Sequence, residues 1–177
     1  LFVLLSGLWD ETMVSLQLCG AGVVISFLLG GALGIWAASN DRVSAILRPI
    51  NDTLQTIPIF VFLIPAIMLF LVGEFTALVA IVLYAAVPAA RYTELGLRSV
   101  PEGPLEAAAS CGATRRQRLF QVQLPLALPE ILLGLNQTIM LGFAMVVVAA
   151  LAGARGLGQS ILAALIWLDV GQGLLAG

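Results

Sequence analysis

Apolar residues in this sequence come in long unbroken runs, and the short stretches between them hold most of the charge. Met13 to Ala37 is 25 residues without one charged side chain. At 1.5 Å rise per residue such a helix measures roughly 38 Å, enough to cross a bilayer with some tilt. The pattern thus predicts a first span over 13–37 and, after a polar stretch from Ser39 to Asp52, a second over 54–72. The short turn Gly73-Glu74 leads into a third over 75–97, which runs on as a polar helix holding Arg91, Glu94 and Arg98. Spacings of three and four put those three on one helix face, where they can pair. A fourth span covers 126–151. Gln159 to Leu168 is too short to span, so 157–168 reads as a re-entrant or interfacial helix. A last span starts from about 170. Leu1 to Leu8 lack the basic start and cleavage site of a signal peptide, and are expected to be the tail of an upstream segment. The whole, 1–177, reads as one transmembrane domain truncated at both ends.

Breakers and polar residues inside the spans sharpen this. Gly30 and Gly34 are spaced to let another helix approach closely, within the bundle or across a dimer. Pro58 and Pro65 are expected to interrupt the second span and free backbone carbonyls, a sign of a translocation route or of a kinked packing helix. Gln55, Thr56, Asn136, Gln137 and Thr138 need partners or a cavity at their depth. With Pro58 they form the candidate pathway set; interhelical hydrogen bonding is the other use of such residues.

Composition excludes more than it names. Hydrophobic residues make up 60% and charged ones 10%, where a soluble domain of this size carries about 25% charged. All eight basic residues are arginine, and the net charge of −2 implies no nucleic-acid partner. Without lysine there is no glycine-rich phosphate loop for ATP, and without histidine no zinc-protease motif or Ser-His-Asp triad. No catalytic residue, metal site or bound cofactor is expected. Cys19 and Cys111 make no disulfide framework and read as packing residues. If the Arg42/Arg48 stretch faces the cytoplasm, alternation puts Arg91 to Arg118 there too, seven of eight arginines on one side. The N-terminal end then lies outside and only Arg155 breaks the rule.

The loop at 101–124 carries the most specific chemistry. Pro101 or Pro104 suits a first helical turn, with Glu102 and Glu106 near its positive end. Leu105, Ala107, Ala108 and Ala109 propagate that helix and Gly112 stops it. Thr114 followed by Gln117 is a capping-box pattern that starts a second helix, Arg115 to Leu124, expected to end before Pro125. Two capped helices, an alanine face and a glycine hinge outside the bilayer read as a docking surface for a soluble partner, with Arg115, Arg116 and Arg118 presented just past the turn.

Glu106-Ala107-Ala108, three residues, Gly112, nine residues, then Val122-Gln123-Leu124-Pro125 resembles the EAA motif of permease subunits of ABC importers. The runs Asp52 to Pro65, Gln123 to Thr138 and Gly156-Leu157-Gly158-Gln159 are similar to the glycine betaine/proline betaine/choline permeases. The resemblance implies an all-α polytopic helical bundle of the type I ABC importer, methionine-permease-like fold, in the bacterial inner membrane. It implies that Glu106, Ala107, Ala108, Gly112, Ala113, Thr114, Arg115, Arg116, Leu124 and Pro125 couple to a separate ATPase subunit, which holds ATP and Mg. It further implies a second permease copy as a homodimer partner and an extracytoplasmic solute-binding protein or domain. The expected cargo is a quaternary ammonium solute: glycine betaine, proline betaine, choline or carnitine. Methionine, taurine and phosphonate permeases share the architecture and are the alternatives. An ion-coupled transporter is the remaining one, but it calls for charged residues within the spans, and Glu74 and Glu130 both fall near span ends.

Overall fold

A computed structural model describes residues 7–177, and every regular element there is helical. The stretch Leu1–Leu8, expected to be the tail of an upstream segment, lies over residues 1–6 outside that range. Helix α1, Trp9–Ser39, carries Asp10 and Glu11 in its first turn, where carboxylates offset the positive end of the helix dipole. Asn40 leaves it in extended conformation, and the Asn40 side chain accepts from the Arg42 N–H at 3.0 Å to start α2, Asp41–Thr56. There follow α3, Phe60–Phe70; α4, Glu74–Arg98; α5, Glu102–Ser110; α6, Arg115–Arg118; α7, Leu124–Ala149; α8, Leu157–Trp167; and α9, Val170–Ala176.

Among the described residues three helical stretches are long and apolar enough to cross a membrane: α1, α4 and the continuous run Arg115–Ala152. The second expected span differs. Residues 54–72 are not one helix, because α2 and α3 meet at a 96° bend. Ile57, the residue before Pro58, adopts ψ 133°, since a proline crowds its predecessor out of the helical region. Pro65 breaks nothing. It lies inside α3, whose Leu63 and Ala66 are buried, so packing holds the backbone helical although one hydrogen bond is lost. Alone, the 11 residues of α3 reach about 16 Å, half a bilayer core.

The expected stop before Pro125 is also absent. Residues Leu119–Gln123 widen into one π turn, in which the Leu124 N–H reaches back to the Leu119 carbonyl. That wider turn accommodates the proline's missing N–H and its bulk against the preceding turn, so Arg115–Arg118 continue into the span. The second loop helix is the end of a span rather than a free element.

α1 and α4 pack through a seam of small residues. Ser15, Cys19, Gly22, Ser26, Gly30 and Gly34 recur every three or four positions and are buried. A methyl group on Gly34 would sit 2.6 Å from the Ala90 carbonyl oxygen and 2.7 Å from Thr93 Cβ, so only glycine allows this approach. The Gly30/Gly34 pair is therefore used inside the bundle. α7 joins by the same means, with Gly134 against Tyr92 and Gly142 against Val23. Large apolar side chains point outward instead; Met68 is 79% and Leu69 76% exposed. In lipid no hydrophobic force draws helices together, so close backbone approach and dispersion do it.

Candidate functional site

The loop between α4 and α7 is built by local caps. α5 begins after Pro101 with Glu102 in its first turn, and no residue of α5 is buried. Its end is closed by two backbone bonds, Ala113 N–H to the Ala108 carbonyl (3.0 Å) and Gly112 N–H to the Ala109 carbonyl (2.9 Å). That arrangement requires left-handed backbone at Gly112, whose φ is +80°. The capping box follows at once: the Gln117 N–H donates to Thr114 Oγ1 (3.3 Å) and the Thr114 N–H to Gln117 Oε1 (2.8 Å). Beneath, Leu105, Leu119 and Leu124 rest on a small cluster of Leu97, Val100, Ala127 and Ile131 at the foot of α4 and α7. Glu106, Ala107 and Ala109 remain open to solvent, so α5 is presented rather than packed.

An ion cluster ties this loop's root to the first half of the chain. Glu94 is only 3% exposed, yet its Oε1 accepts from Ser44 Oγ, from Arg48 Nε at 3.0 Å and from Arg98 Nε at 3.1 Å. Arg98 continues the chain of contacts to Asp41 (2.9 Å) and to the Ala37 carbonyl at the end of α1 (2.8 Å). Two arginines and the serine compensate the burial of one carboxylate, which unpaired would be costly. Arg91 does not share that face pairing. It turns to Asp52 (3.2 Å) and Gln55, so α2 is fastened along α4 at two levels. Spacing along the sequence offers Glu94 as a partner of Arg91 and Arg98, not as a hub. The signal was there: Ala90 and Leu97 stand four before and three after it, marking its face as the buried one.

The candidate pathway residues separate. Gln55 meets Arg91, Thr56 bonds back to the Thr53 carbonyl (2.8 Å), and Pro58 sits at the bend. Thr138 is buried and returns its hydroxyl to the Gly134 carbonyl (2.8 Å), whereas Asn136 and Gln137 are exposed among Leu132, Leu133 and Met140. The two groups reach α4 within one turn of each other, Gln55 at Arg91 and Gly134 at Tyr92. Among the described residues no group of three or more histidine, cysteine, aspartate or glutamate side chains is placed to hold a metal ion.

Residues 30–177 match the family model described as binding-protein-dependent transport system inner membrane component. The chain belongs to this family. Of curated permeases, it is 46% identical over 171 residues to the glycine betaine transport system permease protein OpuAB of Bacillus subtilis, covering 97% of this chain and 61% of that one. It is 43% identical over 171 residues to the glycine betaine/proline betaine permease ProW of Escherichia coli, covering 97% and 48%. It thus spans about half the length of these relatives. Its fold superposes on a chain of the MetNI methionine ABC transporter in an inward-facing form, with a TM-score of 0.79, 25% identity, and 99% and 87% of the two chains covered. The EAA residues of this chain fall on the solvent-presented helix α5, and its Leu-Pro on the first turn of α7.

Proposed function

We propose that this chain is the transmembrane subunit of an ATP-driven importer of quaternary ammonium solutes such as glycine betaine and proline betaine. The observation that carries it is α5: a capped helix with no buried residue, hinged at Gly112 and following the ion cluster that binds α2 to α4. Glu106, Ala107, Ala108, Gly112, Ala113, Thr114, Arg115 and Arg116 meet the ATPase subunit, which holds ATP and Mg, while Leu124 and Pro125 carry its motion into α7. The arginine-bearing loops face the cytoplasm, and solute arrives from an external binding protein or domain. Asn136 and Gln137, polar on an otherwise apolar open face of α7, look toward a second permease copy and the path between the two. The glycine betaine relatives support the cargo class.

The test is solute uptake into reconstituted vesicles that enclose ATP and hold the full-length permease with its ATPase on the inner face. ATP-dependent betaine uptake, competed by proline betaine, choline or carnitine but not by methionine, is expected. Uptake that persists without ATP on an ion gradient sinks the reading. Glu106→Arg should abolish uptake and ATPase co-purification while the permease still inserts.

A further inference from the structure

A cleft of about 380 Å³ lies between the loop helices and the ends of the spans. Its walls come from Ser39 at the end of α1, Leu97 on α4, Leu105 on α5, and Arg115, Arg116, Arg118 and Gln123 beyond the hinge. The volume falls in the range of small-molecule sites. Among the described residues none of these three arginines reaches a carboxylate at salt-bridge distance, whereas Arg48, Arg91 and Arg98 of α2 and α4 all do. Arg118 Nε is enclosed and has no acceptor among the described residues. Enclosed donors of this kind are seldom left unpaired, and a charged one least of all. Glu102 and Glu106 are not on the cleft wall.

We propose that this cleft binds a phosphate group, either that of an anionic phospholipid or free phosphate. Guanidinium forks match phosphate oxygens two at a time, and Ser39 and Gln123 add polar partners beside them. Leu97 and Leu105 supply an apolar flank suited to the glycerol end of a lipid. Because Ser39 and Leu97 are the ends of spans, the mouth lies at the membrane boundary, where the cytoplasmic leaflet is anionic. The placement on that leaflet rests on the orientation proposed above; the phosphate chemistry does not.

The experiment uses the full-length permease assembled with its ATPase. The assembly is incubated with phosphatidylglycerol or phosphatidylcholine vesicles, extracted, and its retained lipid counted by native mass spectrometry. A parallel arm follows line broadening of inorganic phosphate by phosphorus NMR. Preferential retention of phosphatidylglycerol, reduced about tenfold by Arg115→Gln with Arg118→Gln, establishes a lipid headgroup; tenfold corresponds to one lost charge-assisted hydrogen bond. Broadened inorganic phosphate that sharpens in the same variant, without a lipid preference, establishes the free anion. Ser39→Phe, which fills the cleft and removes no charge, should act in the same direction if either arginine change prevents folding. Equal retention and equal line widths in wild type and all variants overturn the site. So does loss of ATPase co-purification with phosphate binding unchanged, since an acidic ATPase residue would then be the occupant. Retention is scored without transport, so a failure to import betaine is distinguishable from a failure of the site.

Discussion

The α1–α4 seam and the α5–α6 loop adjoin each other at the end of α4, and they are held by opposite means. The seam joins residues far apart in sequence, through glycine and alanine backbones in contact, with small hydroxyl residues such as Ser15, Ser26 and Thr93 set among them. The loop joins residues three to five apart, through caps, and no residue of α5 or α6 is buried as a whole. A seam of this kind tolerates no added atom, so it holds the spans as a body. A loop held by its own caps keeps its shape while its surface stays open for a partner. The ion cluster of Glu94, Arg48 and Arg98 stands at the junction and belongs to both.

The largest effect is expected where the seam is closed tightest. Gly34→Leu drives a side chain into the Ala90 carbonyl and Thr93, and overpacking of this kind costs about 1–3 kcal/mol or more. Folded, monodisperse protein in detergent should be largely lost. At Gly31, three residues earlier, an added Cβ meets nothing nearer than Thr93 Oγ1 at 4.0 Å, and Gly31→Leu should leave yield and Tm close to wild type. Equal behaviour of the two variants would break the contrast between a rigid seam and its surroundings.

Next comes the junction. Glu94→Leu strands Arg48 and Arg98 against a buried apolar side chain. Removing one partner of a buried pair costs about 3–5 kcal/mol, and because Arg48 is more than half exposed and screened, about 2–3 kcal/mol is expected here. Thermal unfolding in detergent should show it as a lowered Tm. Glu94→Gln, which keeps the volume and one acceptor, should lose less than half as much. If both variants unfold at the wild-type temperature, α2 is not fastened to α4 through this carboxylate.

Much of this arrangement could be read from sequence, and the misses share one cause. Hydrophobic run length located α1, α4 and the greater part of α7, because a bilayer demands a minimum of apolar residues whatever the packing. Gly112 and the Thr114/Gln117 pair were legible because caps are local chemistry. Prolines were not. Pro58 and Pro125 look alike in sequence, yet one bends the chain by 96° and the other is absorbed by a π turn. What separates them is the neighbouring backbone: Ile57 goes extended, whereas Leu119–Gln123 can widen with Leu119 and Leu124 seated on the cluster at the foot of α4. The partner of Arg91 was missed for a similar reason. Helical spacing offers Glu94, but Glu94 is already filled from α2, and only tertiary contact shows Asp52 in its place.

On the loop side the effects shrink and become local. Gly112→Ala puts a Cβ on a residue at φ +80°, at a cost of about 1–2 kcal/mol. The bundle does not feel that position, since nothing lies within 4 Å of the added atom. Tm should therefore move little while ATPase co-purification weakens. A Tm drop as large as that of Glu94→Leu would mean that the hinge is part of the core.

The smallest change is the cleanest probe of the same contrast. Thr114→Ala removes the hydroxyl that accepts from the Gln117 N–H and leaves the Gln117 side chain bonded to the Thr114 backbone. An N-cap of this kind contributes about 1 kcal/mol, but here it closes only the first turn of a helix that runs on to Ala152. The loss should stay in that turn, because α7 further on is held by its packing on α4 at Gly134 and does not depend on the cap. Hydrogen exchange at Arg115–Arg118 should then speed up about fivefold, with rates beyond Leu124 and the global Tm unchanged. Faster exchange spreading past Pro125 would show instead that the π turn transmits the fraying, and that loop and span unfold as one unit.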